Sequence, residues 1–315
     1  MVLSASRRTD IPNYYSDWFF NRLEEGFLYV RNPMNVHQVS KILLSPEVID
    51  CIVFWTKNPE PMIKRLGELK DYPYYFQFTL TGYGKDIEPN VPHKREKMLS
   101  VFQLLSDKIG SHRVIWRYDP IFFNETYTKE YHLEAFRQIA SALNGYTRKC
   151  IISFVDFYAK NKRNMDRMHC QELELEDVKI FAKRLSEMAH SKGMEIAACA
   201  EQMDLTDCGI VRSACIDKAL IEKITGCRLR GNKDKNQRKE CGCLESVEIG
   251  CYNTCRNGCR YCYANYSPES VRRQCGNYDV DSPLLCSVIG DGDLISERKL
   301  ESLREQQISL PFMDN

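Results

Sequence analysis

The chain has 315 residues, 43% of them hydrophobic, and its 44 lysines and arginines against 43 aspartates and glutamates leave a net charge of +1. That length supports one barrel-sized domain or two smaller ones with a filled core, and the near-neutral balance supplies no field to gather nucleic acid or an anionic membrane surface. No uninterrupted apolar run approaches the ~20 residues that span a bilayer. The first eight residues are too short and too soon charged for a signal-peptide core, so the 15 cysteines are expected in a reducing cytoplasm.

Short β-branched or aromatic runs alternate with longer amphipathic stretches, the pattern of βα units around a parallel sheet. The first predicted strand, Val2 to Ser6, runs into Ser6-Arg7-Arg8-Thr9-Asp10, and the second, Cys51 to Trp55, into Thr56-Lys57-Asn58. The third, Tyr74 to Thr81, carries Thr79 and Thr81 at its end. A helix over Lys94 to Ile109 precedes the fourth, Arg113 to Tyr118, which closes on Arg117-Tyr118-Asp119. A helix from a Thr128 cap to Leu143 leads to the fifth, Cys150 to Val155, with Asp156 beyond it. Another over Leu175 to Ser191, stopped by Gly193, leads to the sixth, Glu195 to Ala200, and then to Glu201. The seventh is Val247 to Gly250; a short helix follows at Ser267-Pro-Glu-Ser, and Ser296 to Gln307 suggests an exposed amphipathic helix before a tail.

Seven strand starts at spacings of roughly 20 to 50 residues suit an α/β fold of the TIM-like βα-barrel type, closed or nearly so. Residues 1–200 form the expected barrel body, 201–275 a cysteine-rich region with the last strand, and 276–315 a C-terminal helix and tail. Barrel enzymes place catalytic groups at the C-terminal ends of strands, which singles out Arg7, Arg8, Asp10, Lys57, Thr79, Arg117, Asp119 and Glu201. Any one of these could be a salt-bridged or solvated loop residue, and Pro59 and Pro120 could make Lys57 and Arg117 plain turn positions. Recurrence at six strand ends favours a pocket. Arg117 is in phase with Ile115 and Trp116 with Val114, and alternation alone leaves open which pair faces inward.

Cysteine placement is more specific: Cys51, Cys150 and Cys170 lie early, and the other twelve fall between Cys199 and Cys286. Cys255-Arg-Asn-Gly-Cys259-Arg-Tyr-Cys262 puts three thiolates on one tight loop, enough to hold three irons of a 4Fe-4S cluster and leave the fourth iron open. Cys251 would complete a four-thiolate zinc set, although zinc sites usually pair their ligands as two separated knuckles. Disulfides fit poorly with an odd count and a reducing compartment. A second group comprises Cys199, Cys208, Cys215, Cys227 and Cys241-Gly-Cys243. Its preferred quartet for an auxiliary iron-sulfur cluster is Cys199, Cys215, Cys241 and Cys243, with Gly242 letting two thiolates converge; scattered buried thiols and zinc are the alternatives. Arg228 to Lys239 holds six basic residues in twelve and no aromatic. It reads as a solvated connector, a contact for an anionic group, or a cover over the cluster, with nucleic acid not favoured because stacking rings are missing.

Tyr261, immediately before Cys262, completes C-x3-C-x-aromatic-C, which resembles the cluster motif of the radical SAM enzymes. The wider run from Val247-Glu-Ile-Gly through Tyr263-Ala-Asn, together with Ser4-Ala-Ser-Arg-Arg-Thr-Asp10, looks like the DUF1848 family of uncharacterised proteins. The radical SAM resemblance implies that Cys255, Cys259 and Cys262 ligate a 4Fe-4S cluster whose open iron chelates S-adenosylmethionine. It implies one electron from a flavodoxin- or ferredoxin-like donor, a 5'-deoxyadenosyl radical, and hydrogen abstraction from an unknown substrate, a small or anionic molecule. Tyr261 would lie near the adenine, an arginine or lysine would clamp the methionine carboxylate, and a carboxylate or threonine would hold ribose or ammonium. In that superfamily the cluster loop follows the first strand. Here it follows the last, which implies a circular permutation with Val247 to Gly250 beside Val2 to Ser6. The competing classes are an iron-sulfur electron carrier or redox sensor closed by Cys251, and a zinc-stabilised barrel.

Overall fold

The computed structural model describes residues 1–155, 162–171 and 173–305. Its strands are β1 (Val2–Ala5), β2 (Phe27–Arg31), β3 (Gln38–Leu43), β4 (Cys51–Thr56), β5 (Tyr74–Thr79), β6 (Val114–Ile121), β7 (Lys149–Phe154), β8 (Glu195–Cys199), β9 (Val211–Ser213), β10 (Val247–Glu248) and β11 (Leu294–Glu297). Eight of them form one sheet in the order β10-β1-β4-β5-β6-β7-β8-β9, and every neighbouring pair is parallel. The protein is thus an α/β fold built on a large parallel sheet. β10 lies beside β1, with Leu3 opposite Val247. The sheet runs from β10 at one edge to β9 at the other, with no ladder joining those two among the described residues.

The helices are α1 (Ile11–Tyr14), α2 (Ser16–Glu25), α3 (Glu60–Ile63), α4 (Leu99–Ile109), α5 (Lys129–Ala142), α6 (Lys162–Arg167), α7 (Leu175–His190), α8 (Lys218–Thr225) and α9 (Pro268–Cys275). Their ends follow local chemistry. Thr128 caps α5 by accepting from the Tyr131 amide, and Ser267 caps α9 through the Ser270 amide. No described helix is long and apolar enough to cross a membrane.

Two expectations are corrected. The predicted helix from Ser296 is absent: Leu294–Glu297 is instead a strand paired with β3, and no helix forms between 276 and 305. Pairing with Gln38 to Lys41 overrides the helical spacing of a segment whose side chains stay largely exposed. Gln307, like Asp156, lies outside the described residues. The strand count also rises, because the three-residue β9 extends the sheet and β2, β3 and β11 build a second, smaller one.

Alternation divides each strand of the large sheet between two environments. Leu3, Phe54, Phe76, Phe78, Trp116, Ile152 and Ile196 join Phe19, Phe102, Phe136 and Phe181 of the helices in the main core. Trp116 stacks on Phe136 at 4.7 Å and donates to the Leu80 carbonyl at 2.8 Å. The opposite face buries Val2, Cys51, Val53, Tyr75, Ile115 and Ile151 against Ile216, Ile221, Leu229 and Leu244. This apolar floor occupies the starts of the strands. Farther along the same face the residues turn polar: Gln77 and Thr79 on β5, Arg117 and Asp119 on β6, Ser153 on β7.

One buried anion braces the C-terminal ends of the strands. Glu88, 1% exposed, receives Lys57 Nζ at 2.8 Å, Lys94 Nζ at 2.5 Å, Thr81 Oγ1 at 3.1 Å and the Tyr261 hydroxyl. These partners join the end of β4, the segment after β5 and the cysteine loop after β10. Burial opposes ionisation of Glu88, but Lys57 and Lys94 outweigh it and hold the carboxyl near about 2. Because the folded value is below the ordinary 4.5, the ion contributes fully above pH 4.5, and that contribution is lost as pH falls toward 2.

Replacing Trp116 with alanine is expected to cost about 3–5 kcal/mol in urea unfolding, from the cavity and the orphaned Leu80 carbonyl. Trp55→Ala, on the partly exposed face, should cost much less. Glu88→Gln is expected to lose about 3–5 kcal/mol at pH 7, since two buried lysines lose their anion. It should also flatten the fall of stability between pH 5 and pH 3. An unchanged acid slope in this variant would rule out Glu88 as the brace.

Candidate functional site

The polar ends of the strands open into a cavity of ≈ 470 Å³. Its wall takes Ser6 to Asp10 after β1, Trp55 to Lys57 at the end of β4, Thr79 on β5, Arg117, Asp119 and Pro120 on β6, and Ser153 to Val155 on β7. It also takes Cys199 and Ala200 after β8 and the loop after β10. One cavity therefore meets both edges of the large sheet, and it lies at the strands' C-terminal ends, where parallel α/β proteins bind ligands.

Cys255, Cys259 and Cys262 all face this cavity. The loop that carries them is fixed to the sheet by backbone geometry and by buried hydrogen bonds. Gly250 lets the chain turn off β10 against β1, because a Cβ there would sit 1.9 Å from Ser6 Oγ. Gly258, between the first two cysteines, adopts φ +71°. Asn257 donates through Nδ2 to Asp10 Oδ2 at 2.9 Å and accepts from the Tyr14 hydroxyl at 3.0 Å, while the Tyr15 hydroxyl reaches the Thr254 carbonyl at 2.6 Å. Burial raises all three thiols, Cys259 to about 12 and Cys255 well above the ordinary value. A ligand that needs thiolates must therefore supply compensating positive charge. Cys251 is different. It packs partly buried against the main core and does not line the cavity, so it stands apart from the other three.

Cys199, Cys215, Cys241 and Cys243, from three separate segments of chain, line the same cavity. Cys199 Sγ and Cys215 Sγ lie 3.0 Å apart. Cys243 accepts from the Ile216 amide at 3.4 Å and contacts Cys199, Cys215 and Cys241 through its thiol. Hydrogen bonds among these sulfurs pull Cys241 and Cys243 down to about 6, chiefly from Cys243 for the former and Cys199 for the latter. Gly242 is not sterically required, because a Cβ there would meet only Ala214 at 3.7 Å. Cys208, Cys227, Cys275 and Cys286 do not line the cavity. Among the described residues, no three His, Cys, Asp or Glu side chains stand ready for a single metal ion.

The remaining predicted residues divide by role. Arg117 lines the cavity on the sheet face it shares with Ile115, while Trp116 faces the helices. Its guanidinium pairs with Asp119 and donates to Cys215 Sγ at 2.8 Å and Gln77 Oε1 at 3.4 Å. Burial would discharge it, but Asp119 and the nearby sulfurs hold its pKa well above the ordinary value. Asp119 also receives the Ser153 hydroxyl. Arg7 lies over Trp55 at 5.0 Å and Arg8 over Tyr252 at 4.6 Å. Asp10, 4% exposed, accepts from the Lys57 amide at 2.8 Å as well as from Asn257, and burial raises its pKa. Tyr261 lines the cavity but is anchored, its hydroxyl on Glu88 and its ring 5.9 Å from Tyr83. Glu201 is placed elsewhere: it accepts from the Phe154 amide at 2.7 Å and does not line the cavity.

Sequence reasoning passed over Trp55, Ser153 and Asn257, although Ser153 is in phase with Ile151 and Asn257 lies inside the cysteine motif. Glu88 carried no signal at all, sitting in a segment with neither strand nor helix pattern. Asn236 to Arg238 bring part of the basic connector into the cavity wall. Two polar atoms of lining residues, Arg7 Nη2 and Thr9 Oγ1, are buried without a hydrogen-bond partner. Buried donors left open in this way mark where a polar ligand would be held.

No curated protein and no solved structure matches the chain. The family described as "Domain of unknown function (DUF1848)" matches residues 2–264, a span that contains the cavity wall, the tetrad and the three-cysteine loop, and the chain belongs to that family.

Proposed function

We propose that this protein is a radical SAM enzyme of the reducing cytoplasm, in which Cys255, Cys259 and Cys262 hold a 4Fe-4S cluster and S-adenosylmethionine occupies the adjoining cavity. The observation that carries the reading is the convergence of three loop cysteines on a cavity that charged side chains from the strand ends also line, while Cys251, the cysteine just before them in the chain, packs against the core and does not line it. Three ligands leave one iron available, and such a cluster, once reduced, supplies the electron that cleaves S-adenosylmethionine to methionine and a 5'-deoxyadenosyl radical. The donor set fits the group: three thiols on one glycine-containing loop, cations along the wall, and the open donors Arg7 Nη2 and Thr9 Oγ1 beside them.

In this reading the chain's own groups bind and orient. Arg7 and Thr9 contribute the hydrogen bonds that a carboxylate or a ribose needs, and Thr79 adds a hydroxyl on the same wall. Lys57 and Asp10, both already partnered, act as positioning residues that hold the loop rather than as clamps. Tyr261, fixed through Glu88, shields one side of the cavity from water. The large sheet is proposed to be a nearly closed TIM-like barrel in which β10 takes the place of the superfamily's first strand, so that the loop is circularly permuted to the C-terminal part. A flavodoxin- or ferredoxin-like protein is the proposed electron donor, and the substrate is a small or anionic molecule.

Anaerobically reconstituted protein given dithionite and S-adenosylmethionine is expected to form 5'-deoxyadenosine, measured by chromatography. Cys259→Ala should abolish the product and Cys251→Ala should retain both product and iron. Equal loss in the two variants would replace the enzyme with an electron carrier closed by Cys251. Separately, Thr9→Val is expected to weaken S-adenosylmethionine binding about tenfold in equilibrium dialysis with little change in iron content.

A further inference from the structure

The reading above leaves four sulfurs of the cavity wall unused. We propose that Cys199, Cys215, Cys241 and Cys243 form a second iron-sulfur centre that faces the same cavity as the loop. The assignment rests on these residues alone and does not depend on radical chemistry at the loop.

The four come from the end of β8, the turn after β9, and the Cys-Gly-Cys segment before β10, and folding brings all of them to one place. They are 6%, 7%, 5% and 1% exposed. Packing alone does not ask for this, since alanine or valine would fill a buried wall without grouping sulfur. Thiolates grouped in this way repel one another unless a cation lies among them, and iron-sulfur clusters are held by such sets of four.

The surroundings fit an anionic inorganic core. The Arg117 guanidinium donates to Cys215 Sγ at 2.8 Å, and the Ile216 amide donates to Cys243 Sγ at 3.4 Å. Hydrogen bonds to sulfur and adjacent cations are the levers by which a protein sets a cluster's potential. Zinc fits less well. Both centres would need Cys199 and Cys215 farther apart than their 3.0 Å, and the difference lies in the room beside the sulfurs. All four residues line the open cavity, which gives a larger core space to sit in. A structural zinc is instead closed in by its own ligands.

The test uses the full chain with Cys255→Ala, Cys259→Ala and Cys262→Ala combined, reconstituted anaerobically with ferrous iron and sulfide. This variant is expected to keep about four irons and four sulfides per chain, to show a reducible cluster by electron paramagnetic resonance, and to lose both when Cys241→Ser and Cys243→Ser are added. The converse variant, with only Cys241→Ser and Cys243→Ser, should keep the loop's iron, which shows that the fold survives. A loop-deficient protein that is folded by circular dichroism yet holds neither iron nor sulfide would overturn the proposal, as would one zinc per chain without sulfide. If the wild type and the loop-deficient variant carry the same iron, the second centre stands and the loop reading falls.

Discussion

The site depends on a carboxylate that has been taken out of water and given neighbours from three parts of the chain. Asp10 receives hydrogen bonds from Asn13 in the following turn, from the Lys57 amide at the end of β4, and from Asn257 between the first two loop cysteines. A buried acceptor left unmatched is costly, so each of these contacts is obligatory for the others. They tie the loop after β10 to the ends of two strands from the first quarter of the chain. Glu88 repeats the device on the other side of Lys57, through Tyr261.

Charge in the cavity follows the same economy. Arg117 faces the cavity and has Asp119 beside it, and Lys57 has Glu88. Arg7 and Arg8 spread over aromatic rings. A cavity walled by sulfur at two places needs cations close by if those sulfurs are to ionise, and the paired cations are held in place without being discharged. The apolar floor of Ile151, Leu229 and Leu244 keeps water from entering by way of the strands' N-terminal ends.

Much of this was legible in the sequence. Seven strands announced themselves as β-branched and aromatic runs, because a parallel sheet buried on both faces demands them, and the strand-end polar residues followed from where each run stopped. The tetrad was selected from six sulfurs by its relation to β8 and β10. What stayed hidden was set by tertiary contact. Val211–Ser213 is too short to show a period, Leu294–Glu297 becomes a strand through the partner it meets, and Glu88 lies in a loop ordered by its salt bridges and by backbone contacts to the cysteine loop. Glu201 was misplaced because a strand end aims residues to either side, and this one turns back onto Phe154.

The position of β10 next to β1 also fixes an order of events during synthesis. A chain made from its N-terminus completes β1 and β4 to β8 before residue 247 exists, so the cavity wall is in place before its loop cysteines have been added. Until then β1 keeps one edge unpaired. The nascent protein is therefore a receptor waiting for the last strand of its large sheet, and the cysteine loop arrives on a surface already shaped to receive it. A chain with the motif at the front would have to guard its thiols through the whole of translation; this one exposes them only at the end.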